Sequence, residues 1–245
     1  MNATVHSELS VRHYKGQISD YYPIHDFMDC TKELESSNLH RAISHNLWFV
    51  KQVIIPIFGH TIVNSDKINV NVKDLAEMDH ILPDFNQKFL PSLADYISLV
   101  SDDPNDAQLF KEFDGDNSSF YKKYPQVREL MLSPLHNTGF LKSLLVTHNS
   151  WFINFILPKI FKDIDIQIKD FNIAPANLFN RMKWAEWVNN GKFGFPPSAA
   201  KIVDSRKSKL EKINKVPAPR DIVCDGSGPQ KFDKPDFDFG AKIID

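Results

Sequence analysis

The sequence predicts a mainly α-helical fold in which one small helical module is duplicated in tandem and followed by an extended C-terminal arm. The pattern His-Asn-x-Trp-Phe occurs twice, at His45–Phe49 and at His148–Phe152. Each copy opens a long apolar run, which is typical of a buried helix. After Gly191, prolines, glycines and scattered phenylalanines replace any helical periodicity. The predicted domains are residues 1–100, 101–190 and 191–245.

Similarity between the two copies extends beyond this pattern in both directions. A Tyr-Pro pair precedes each copy, at Tyr22–Pro23 and at Tyr124–Pro125. A proline lies near the end of each apolar run, at Pro56 and Pro158. The chain has only four tryptophans, so two of them in one register are improbable by chance. Matches that recur in a fixed order are typical of duplication.

Breaks and periodicity predict the elements of the first module. Ser36–Asn38 carries the side chains that cap a helix N-terminus, and Pro56 ends or kinks the helix that follows. Alternation of apolar and polar residues indicates a β-hairpin. The predicted elements are a helix over Pro23–Leu34, a central helix over Leu39–Ile55, a hairpin of Thr61–Val63 and Ile68–Val72, a helix from Asp74 and a helix from Pro91.

The second module is predicted to keep fewer elements. Its central helix is followed by one strand-like segment, Ile164–Ile168, and by a last helix around Arg181–Asn189. The two central helices, His45–Phe58 and His148–Phe161, are apolar enough to face each other. We therefore expect one joint core for the two modules.

Composition limits the classes of function. A net charge of −2 gives no general attraction to nucleic acid or to an anionic membrane. Two distant cysteines, Cys30 and Cys224, imply no disulfide framework and suit a reducing interior. The apolar runs fall short of the roughly 20 residues of a membrane span, and the first twenty residues lack the apolar core of a signal peptide. We expect a cytoplasmic protein, or one incorporated in a particle assembled in the cytoplasm, with no membrane partner.

Histidines are concentrated in the first module, where seven of the nine precede residue 81. Asp29 follows His25 by four residues, and Asp84 follows His80 by four. Such a pair on one helical face binds a metal or forms a hydrogen bond. The alternative to a metal site is a buried hydrogen-bond network that fixes helix packing. The candidate metal ligands are His25, Asp29, His40, His45, His80 and Asp84.

Three spaced motifs between residues 6 and 97 carry a resemblance to a known family. They are Asp20-Tyr21-x-Pro23-Ile24-His25, His40-Arg41-x-x-x-His45 and His80-x-x-x-Asp84. The chain here resembles a family of small uncharacterised helical proteins from bacteria and phages. The resemblance implies a polar pattern such as a hydrolase or a metal site would have, although the glycine expected soon after the Asp84 position is absent. In the metal hypothesis, a divalent Zn, Mn or Fe ion activates water, and Lys32 or Arg41 faces a phosphate as a catalytic residue.

The second module provides an internal control for these candidates. His148 keeps the position of His45, whereas Ser143 stands at the position of His40. A residue that is retained without its partners is better explained by folding than by catalysis. This comparison makes His45 mainly structural, and the candidates for chemistry are then His25, His40 and His80.

The C-terminal arm favours one functional hypothesis over two others. The favoured hypothesis is a non-enzymatic interaction or assembly protein, such as a phage-encoded component of a particle or a large complex. Residues 217–245 would bind a protein partner or mediate self-assembly, with Phe232, Phe237 and Phe239 as anchors. The alternative is a metal-dependent hydrolase with its site in the first module. Nucleic-acid binding through Lys201–Lys215 is a weaker alternative, because aromatic residues do not interleave with that basic segment.

Overall fold

The computed structural model describes residues 2–85, 87, 89–169 and 173–182. This part of the chain is mainly helical, as predicted, with one small antiparallel sheet. Several predictions fall outside the described residues. They are the arm of residues 191–245, its anchors Phe232, Phe237 and Phe239, the basic segment Lys201–Lys215, and all but the first two residues of the helix predicted at Arg181–Asn189.

The first module contains short α-helices joined by 3-10 turns, which are tighter than α-helical turns, and by π turns, which are wider. The hairpin is confirmed, with Ile62 paired to Val70 at its centre. The elements are α1 (Ala3–Tyr14), α2 (Ile18–Met28), 3-10 turns at Cys30–Glu33 and Asn38–His40, α3 (Arg41–Ser44), α4 (Leu47–Phe49), a π turn at Val50–Ile54, α5 (Ile55–Phe58), β1 (Thr61–Val63), β2 (Asn69–Asn71), α6 (Val72–Asp74), a π turn at Leu75–Ile81, α7 (Leu82–Asp84) and α8 (Leu93–Ile97).

The second module repeats the central part of this arrangement. Its elements are α9 (Asp106–Asp116), α10 (Ser118–Lys123), α11 (Pro125–Thr138), a 3-10 turn at Leu141–Val146, a π turn at Phe152–Ile156, α12 (Leu157–Ile160) and α13 (Ala176–Arg181). The strand predicted at Ile164–Ile168 is wrong, because this segment has no regular structure. Its isoleucines instead pack against the core as an irregular connection.

The first predicted helix, over Pro23–Leu34, is wrong at both ends. Helix α2 begins at Ile18, where the Asp20 carboxylate accepts the backbone N–H of Gln17 at 2.7 Å. It ends at Met28, after which hydrogen bonds to the third preceding residue tighten the chain into a 3-10 turn.

One asparagine in each module breaks the predicted central helix. Asn46 is extended, with φ −148° and ψ 160°. Its side-chain amide donates to the carbonyl oxygens at the end of α3, and its side-chain oxygen accepts the N–H of Phe49 at 3.0 Å. Asn149 forms the same three bonds in the second module, the last of them to Phe152 at 2.9 Å. Each asparagine thus ends one helical segment and caps the next.

In the described part of the chain, a proline lies two residues after the end of each π turn. Pro56, Pro83 and Pro158 each occupy the first turn of the short helix that follows, in α5, α7 and α12. A proline ring clashes with the carbonyl four residues earlier in a regular α-helix. The wider spacing of a π turn accommodates the ring. For this reason Pro56 does not end the central helical region, which continues to Phe58.

The central segments of the two modules contact each other in one hydrophobic core. The rings of Trp48 and Phe152 lie 6.2 Å apart between centroids. The indole N–H of Trp48 donates to the hydroxyl of Ser133 in α11 at 2.9 Å. Phe27 of α2 stacks on Phe155, with centroids 6.0 Å apart and ring planes 10° apart. The second module therefore covers one side of the first.

Candidate metal centre

Six histidines and aspartates from separate elements of the first module meet in its interior. The π turn at Leu75–Ile81 contributes one of them, and α7 contributes the next along the chain. All six side chains are buried or nearly so; the most exposed of them, that of Asp29, keeps 9% of its surface. The cluster consists of His6 from α1, Asp29 from the end of α2, His40 and His45 on either side of α3, His80 from the π turn and Asp84 from α7.

Two carboxylates lie between the imidazoles. Asp84 lies 3.5 Å from His6 Nε2 through one oxygen and 3.3 Å from His45 Nε2 through the other. Asp29 Oδ1 lies 3.6 to 3.8 Å from the Nε2 atoms of His45, His80 and His40. The cluster divides into two groups, in each of which the possible ligand atoms lie within 4.8 Å of one another. One group is His6, His80 and Asp84, and the other is Asp29, His40 and His45.

Hydrogen bonds to backbone carbonyls fix the protonation of two imidazoles. His6 Nδ1 lies 2.7 Å from the carbonyl oxygen of Asp79, and His40 Nδ1 lies 2.6 Å from that of Ser37. Because a carbonyl oxygen only accepts, each Nδ1 carries a proton and donates it. In the neutral ring the other nitrogen is then unprotonated. The Nε2 atoms of His6 and His40 face the cluster, and in the neutral ring each of them offers a lone pair.

Two hydroxyl groups in series fix the proton of His45. The Thr31 hydroxyl donates its one proton to the carbonyl oxygen of His40 at 3.2 Å. It therefore accepts from the Ser44 hydroxyl, which lies 2.8 Å away. Ser44 in turn accepts from His45 Nδ1 at 2.9 Å. His45 thus carries its proton on Nδ1, and its Nε2 presents a lone pair.

A longer series of hydrogen bonds fixes the position of the proton on His80. The Ser10 hydroxyl donates to the Asp79 carboxylate at 2.8 Å, so it accepts from His25 Nε2, also at 2.8 Å. His25 is neutral because burial lowers its pKa to about 2, and its Nδ1 is therefore an acceptor. His80 Nδ1 donates to that atom across 3.2 Å. The Nε2 atom of His80 is left with a lone pair.

The four Nε2 atoms converge on the two carboxylates, and some of the atoms that meet there lack a hydrogen-bond partner. Across the described part of the chain, His6 Nε2, His40 Nε2 and Asp29 Oδ1 have no hydrogen-bond partner. Leaving such groups buried and unpaired is costly. Imidazole nitrogens and carboxylate oxygens are the donors that bind zinc and the transition metals. The buried cluster can therefore hold metal ions.

Burial and neighbouring groups set the charges of the cluster. Burial lowers the pKa of His45 to about 4 and that of His80 to about 3, so both imidazoles are neutral near pH 7. Burial alone would raise the pKa of Asp84, but the positive charge of Arg41, 2.8 Å away, lowers it. The pKa of Asp29 is also lowered, against the effect of burial. Neutral imidazoles and ionised carboxylates are the protonation states in which these residues bind metals.

The two predicted catalytic cations lie against the carboxylates of the cluster. Arg41 NH2 is 2.8 Å from Asp84 Oδ2, and Lys32 Nζ is 2.6 Å from Asp29 Oδ2. Lys32 has 40% of its side chain exposed, and Arg41 has 21%. Both side chains therefore orient a carboxylate, and Lys32 also faces solvent beside it.

The structure brings together five of the six residues predicted as metal ligands. The sixth, His25, lies behind His80 and uses both ring nitrogens in the chain that reaches Asp79. His6 takes the remaining place in the cluster, although it was outside the predicted set. Its helical spacing to Ser10 and His13, four and seven residues on, marks one polar face of α1 and was the available indication. His13 Nδ1 lies 2.7 Å from Asp79 on that face.

The second module keeps the local side-chain hydrogen bond of its histidine but not the cluster. His148 Nδ1 lies 3.0 Å from the Thr147 hydroxyl, just as His45 Nδ1 lies beside Ser44. The ring of His148, however, packs edge-on against Phe113 and Phe110, with centroids 4.9 and 5.2 Å apart. Among the residues that the structure describes, no group of metal-binding side chains occurs in this module.

The fold and the cluster define a mainly helical protein with a buried histidine–aspartate centre. Residues 1–105 match the model of a family described as a domain of unknown function, DUF6915. The predicted resemblance to an uncharacterised family is confirmed to that extent, and occurrence in bacteria and phages stays a prediction. No curated protein and no solved structure matches the chain. Within the described residues, no helix is long and apolar enough to cross a membrane.

Proposed function

We propose that the first module is a metal-dependent hydrolase. One observation supports this proposal above the others. Four imidazoles are held by their Nδ1 bonds so that each Nε2 atom faces the carboxylates of Asp29 and Asp84. A network built only to fix helix packing would place donors against acceptors. The proposed ligands are His6, Asp29, His40, His45, His80 and Asp84.

The arrangement favours two ions. Each of the two ligand groups provides two imidazoles and one carboxylate, which is the ligand set of several catalytic metal sites. Asp84 contacts a histidine of each group, His6 and His45, and would therefore contribute a carboxylate oxygen to each group. Nitrogen and oxygen ligands of this kind favour Zn, Mn or Fe over Mg and Ca.

The surrounding residues support hydrolysis as the reaction. A divalent ion held by these residues would supply an activated water, because binding to such an ion lowers the pKa of water toward neutrality. Arg41 and Lys32 hold the two carboxylates in place, as the hydrogen-bonded supports of metal ligands generally do. Lys32 has donors left for an anionic substrate, since its side chain is partly exposed.

The assembly hypothesis depends on residues 217–245, which lie outside the described residues, and it stays a prediction. It does not compete with the metal centre for any residue. The assembly hypothesis and the hydrolase proposal are therefore compatible, since one concerns the arm and the other the first module.

Metal analysis of the purified full chain tests the proposal. We expect close to two equivalents of a transition metal per chain after reconstitution with Zn, Mn or Fe, and fewer than one for His80→Ala. His148→Ala is the matched control, because His148 has the same local bonds as His45 but faces phenylalanines. It should keep the full metal content. Wild-type protein that binds no metal while correctly folded would rule the proposal out.

A further inference from the structure

The two ligand groups of the proposed metal centre differ in their access to solvent. We call Asp29, His40 and His45 the outer group, and His6, His80 and Asp84 the inner group. A cavity of about 610 Å³ lies beside the centre, and of the six proposed ligands only Asp29 lines it. Asp29 also keeps the largest exposed fraction of the six side chains. The outer group therefore lies nearer to solvent than the inner group.

The inner group is enclosed by the fold. His6 and His80 have no contact with solvent, and the side chain of Asp84 keeps 2% of its surface. The rings of His6 and His80 stack with centroids 4.0 Å apart, where α1 packs on the π turn that carries His80. None of these three side chains lines the cavity. Such enclosure is typical of a structural metal site, whereas a catalytic site keeps one side open.

The residue that holds the inner carboxylate is fixed by several contacts. Arg41 NH2 lies 2.8 Å from Asp84 Oδ2, and Arg41 NH1 donates to the backbone carbonyl of Asp84 at 3.4 Å. The guanidinium also lies over the ring of Phe85, 5.7 Å from its centroid. The planar guanidinium is thus held in one orientation. Movement of Asp84 out of the inner group would break its contacts with Arg41.

The residue that holds the outer carboxylate has more freedom to move. Lys32 Nζ lies 2.6 Å from Asp29 Oδ2, and 40% of the lysine side chain is exposed. Lys32 also lines the cavity. An ion pair of an exposed lysine contributes little stability, because solvent screens it and the flexible side chain loses entropy. Lys32 can therefore leave Asp29 and open the outer group to the cavity.

Two atoms of the outer group lack a hydrogen-bond partner among the described residues. They are Asp29 Oδ1 and His40 Nε2, which lie 3.8 Å apart, and both side chains are nine-tenths or more buried. Buried polar atoms without a partner are costly. A carboxylate oxygen and an imidazole nitrogen left in this state, next to a residue that lines a cavity, indicate a binding position for an ion that enters from the cavity.

We propose that the outer group binds an exchangeable ion, which contacts water and substrate, and that the inner group binds a permanent structural ion. This inference rests on the proposed metal-dependent hydrolase and concerns the regulation of its site. The inner ion stays with the folded chain, whereas the outer ion exchanges with metal in solution through the cavity. The activity of the centre then follows the concentration of free metal.

Release of metal from the Zn-loaded full chain to the chromophoric chelator 4-(2-pyridylazo)resorcinol tests the inference. We expect two phases of one equivalent each. The outer ion should leave at least about tenfold faster than the inner ion, because release of the inner ion requires local unfolding around α1. Absorbance of the zinc–chelator complex over time measures both rates.

His40→Ala and His6→Ala form a matched pair of variants. In each histidine, Nδ1 donates to a backbone carbonyl and Nε2 has no hydrogen-bond partner among the described residues, but the two belong to different groups. His40→Ala should lose the fast phase and keep the slow one, whereas His6→Ala should lose the slow phase. Circular dichroism establishes that each variant is folded, and the two phases of the wild type test the inference without either variant.

Release of both equivalents from the wild type at one rate would overturn the inference while the proposed function stands. Loss of the slow phase in folded His40→Ala would likewise overturn it. A chain that binds no metal would instead remove the proposed function on which the inference rests.

Discussion

The Nε2 atoms of His45 and His80 lie 3.1 Å apart, and neither side chain has contact with solvent. Both imidazoles are neutral, and their Nδ1 protons are committed to Ser44 and His25. Two lone pairs therefore face each other at hydrogen-bond distance with no proton between them. This repulsion is relieved when each nitrogen binds the cation of its own ligand group, and the stability of the first module should depend on those cations.

Removal of the metal should destabilise the protein. At a free metal concentration 100 times its Kd, binding to the folded state alone contributes about 3 kcal/mol. We expect the Tm of the full chain to fall in excess chelator and to rise again when Zn, Mn or Fe is restored. Differential scanning calorimetry measures both changes. A Tm that chelator leaves unchanged would contradict the presence of a structural or catalytic ion.

Substitution of Ser10 should weaken metal binding although Ser10 is not a proposed ligand. In Ser10→Ala, His25 loses the acceptor of its Nε2 proton, so the tautomer of His80 is no longer fixed. Loss of such a supporting bond typically reduces metal affinity by about 10- to 100-fold. Competition with a chromophoric chelator measures the Kd. Ser98→Ala is the control, because Ser98 is exposed and its side chain bonds locally to the Asp95 carbonyl. Equal metal affinities in the two variants would show that the hydrogen bonds from Ser10 through His25 do not fix the proton of His80.

The paired substitutions His45→Gln and His148→Gln should separate folding from metal binding. Both histidines accompany a helix-capping asparagine and lie next to a buried hydroxyl, but only His45 faces the carboxylates. We expect both variants to lose roughly 1–3 kcal/mol of stability. Only His45→Gln should also lose metal, as measured by elemental analysis. The same metal loss in His148→Gln would mean that the effect is global unfolding.

His148 should make the stability of the protein depend on pH. Burial lowers its pKa from 6.5 to about 4, so between these values the unfolded chain binds the proton more readily than the folded chain. Its contribution to the free energy of unfolding is complete above pH 6.5 and is lost as the pH falls to 4, by about 3 kcal/mol. Urea denaturation at pH 7 and pH 4.5 measures this loss. Over that interval, the free energy of unfolding of His148→Gln should fall by at least about 2 kcal/mol less than that of the wild type. Equal losses in the two proteins would show that other groups cause the pH dependence of stability.

The sequence predicted the features that depend on residues close together in the chain. The spacing of His80 and Asp84 reflects one helical face, and both residues reach the cluster. The alternation around Ile62 and Val70 predicted the hairpin because its register depends on neighbouring residues alone.

Features that depend on distant contacts could not be predicted. His25 has the same spacing to Asp29 that His80 has to Asp84, yet it turns toward Ser10 of another helix. His6 reaches the cluster because α1 packs on the π turn that carries His80. The strand predicted at Ile164–Ile168 has the correct alternation, but no strand among the described residues pairs with it. Comparison of the modules suggested a structural role for His45, whereas its ring contributes one nitrogen to folding and the other to the cluster.

The π turn at Leu75–Ile81 has a consequence for insertions and deletions. It carries Asp79 and His80, two consecutive residues that are both fully buried, and α7 with Asp84 follows directly. A π turn holds one residue more than an α turn, and one residue corresponds to about 100° of helical rotation. Deleting a single residue within this turn would leave a regular helix in place and rotate Asp84 away from His6 and His45. A related chain that lacks that residue would keep the fold and lose the ligand set.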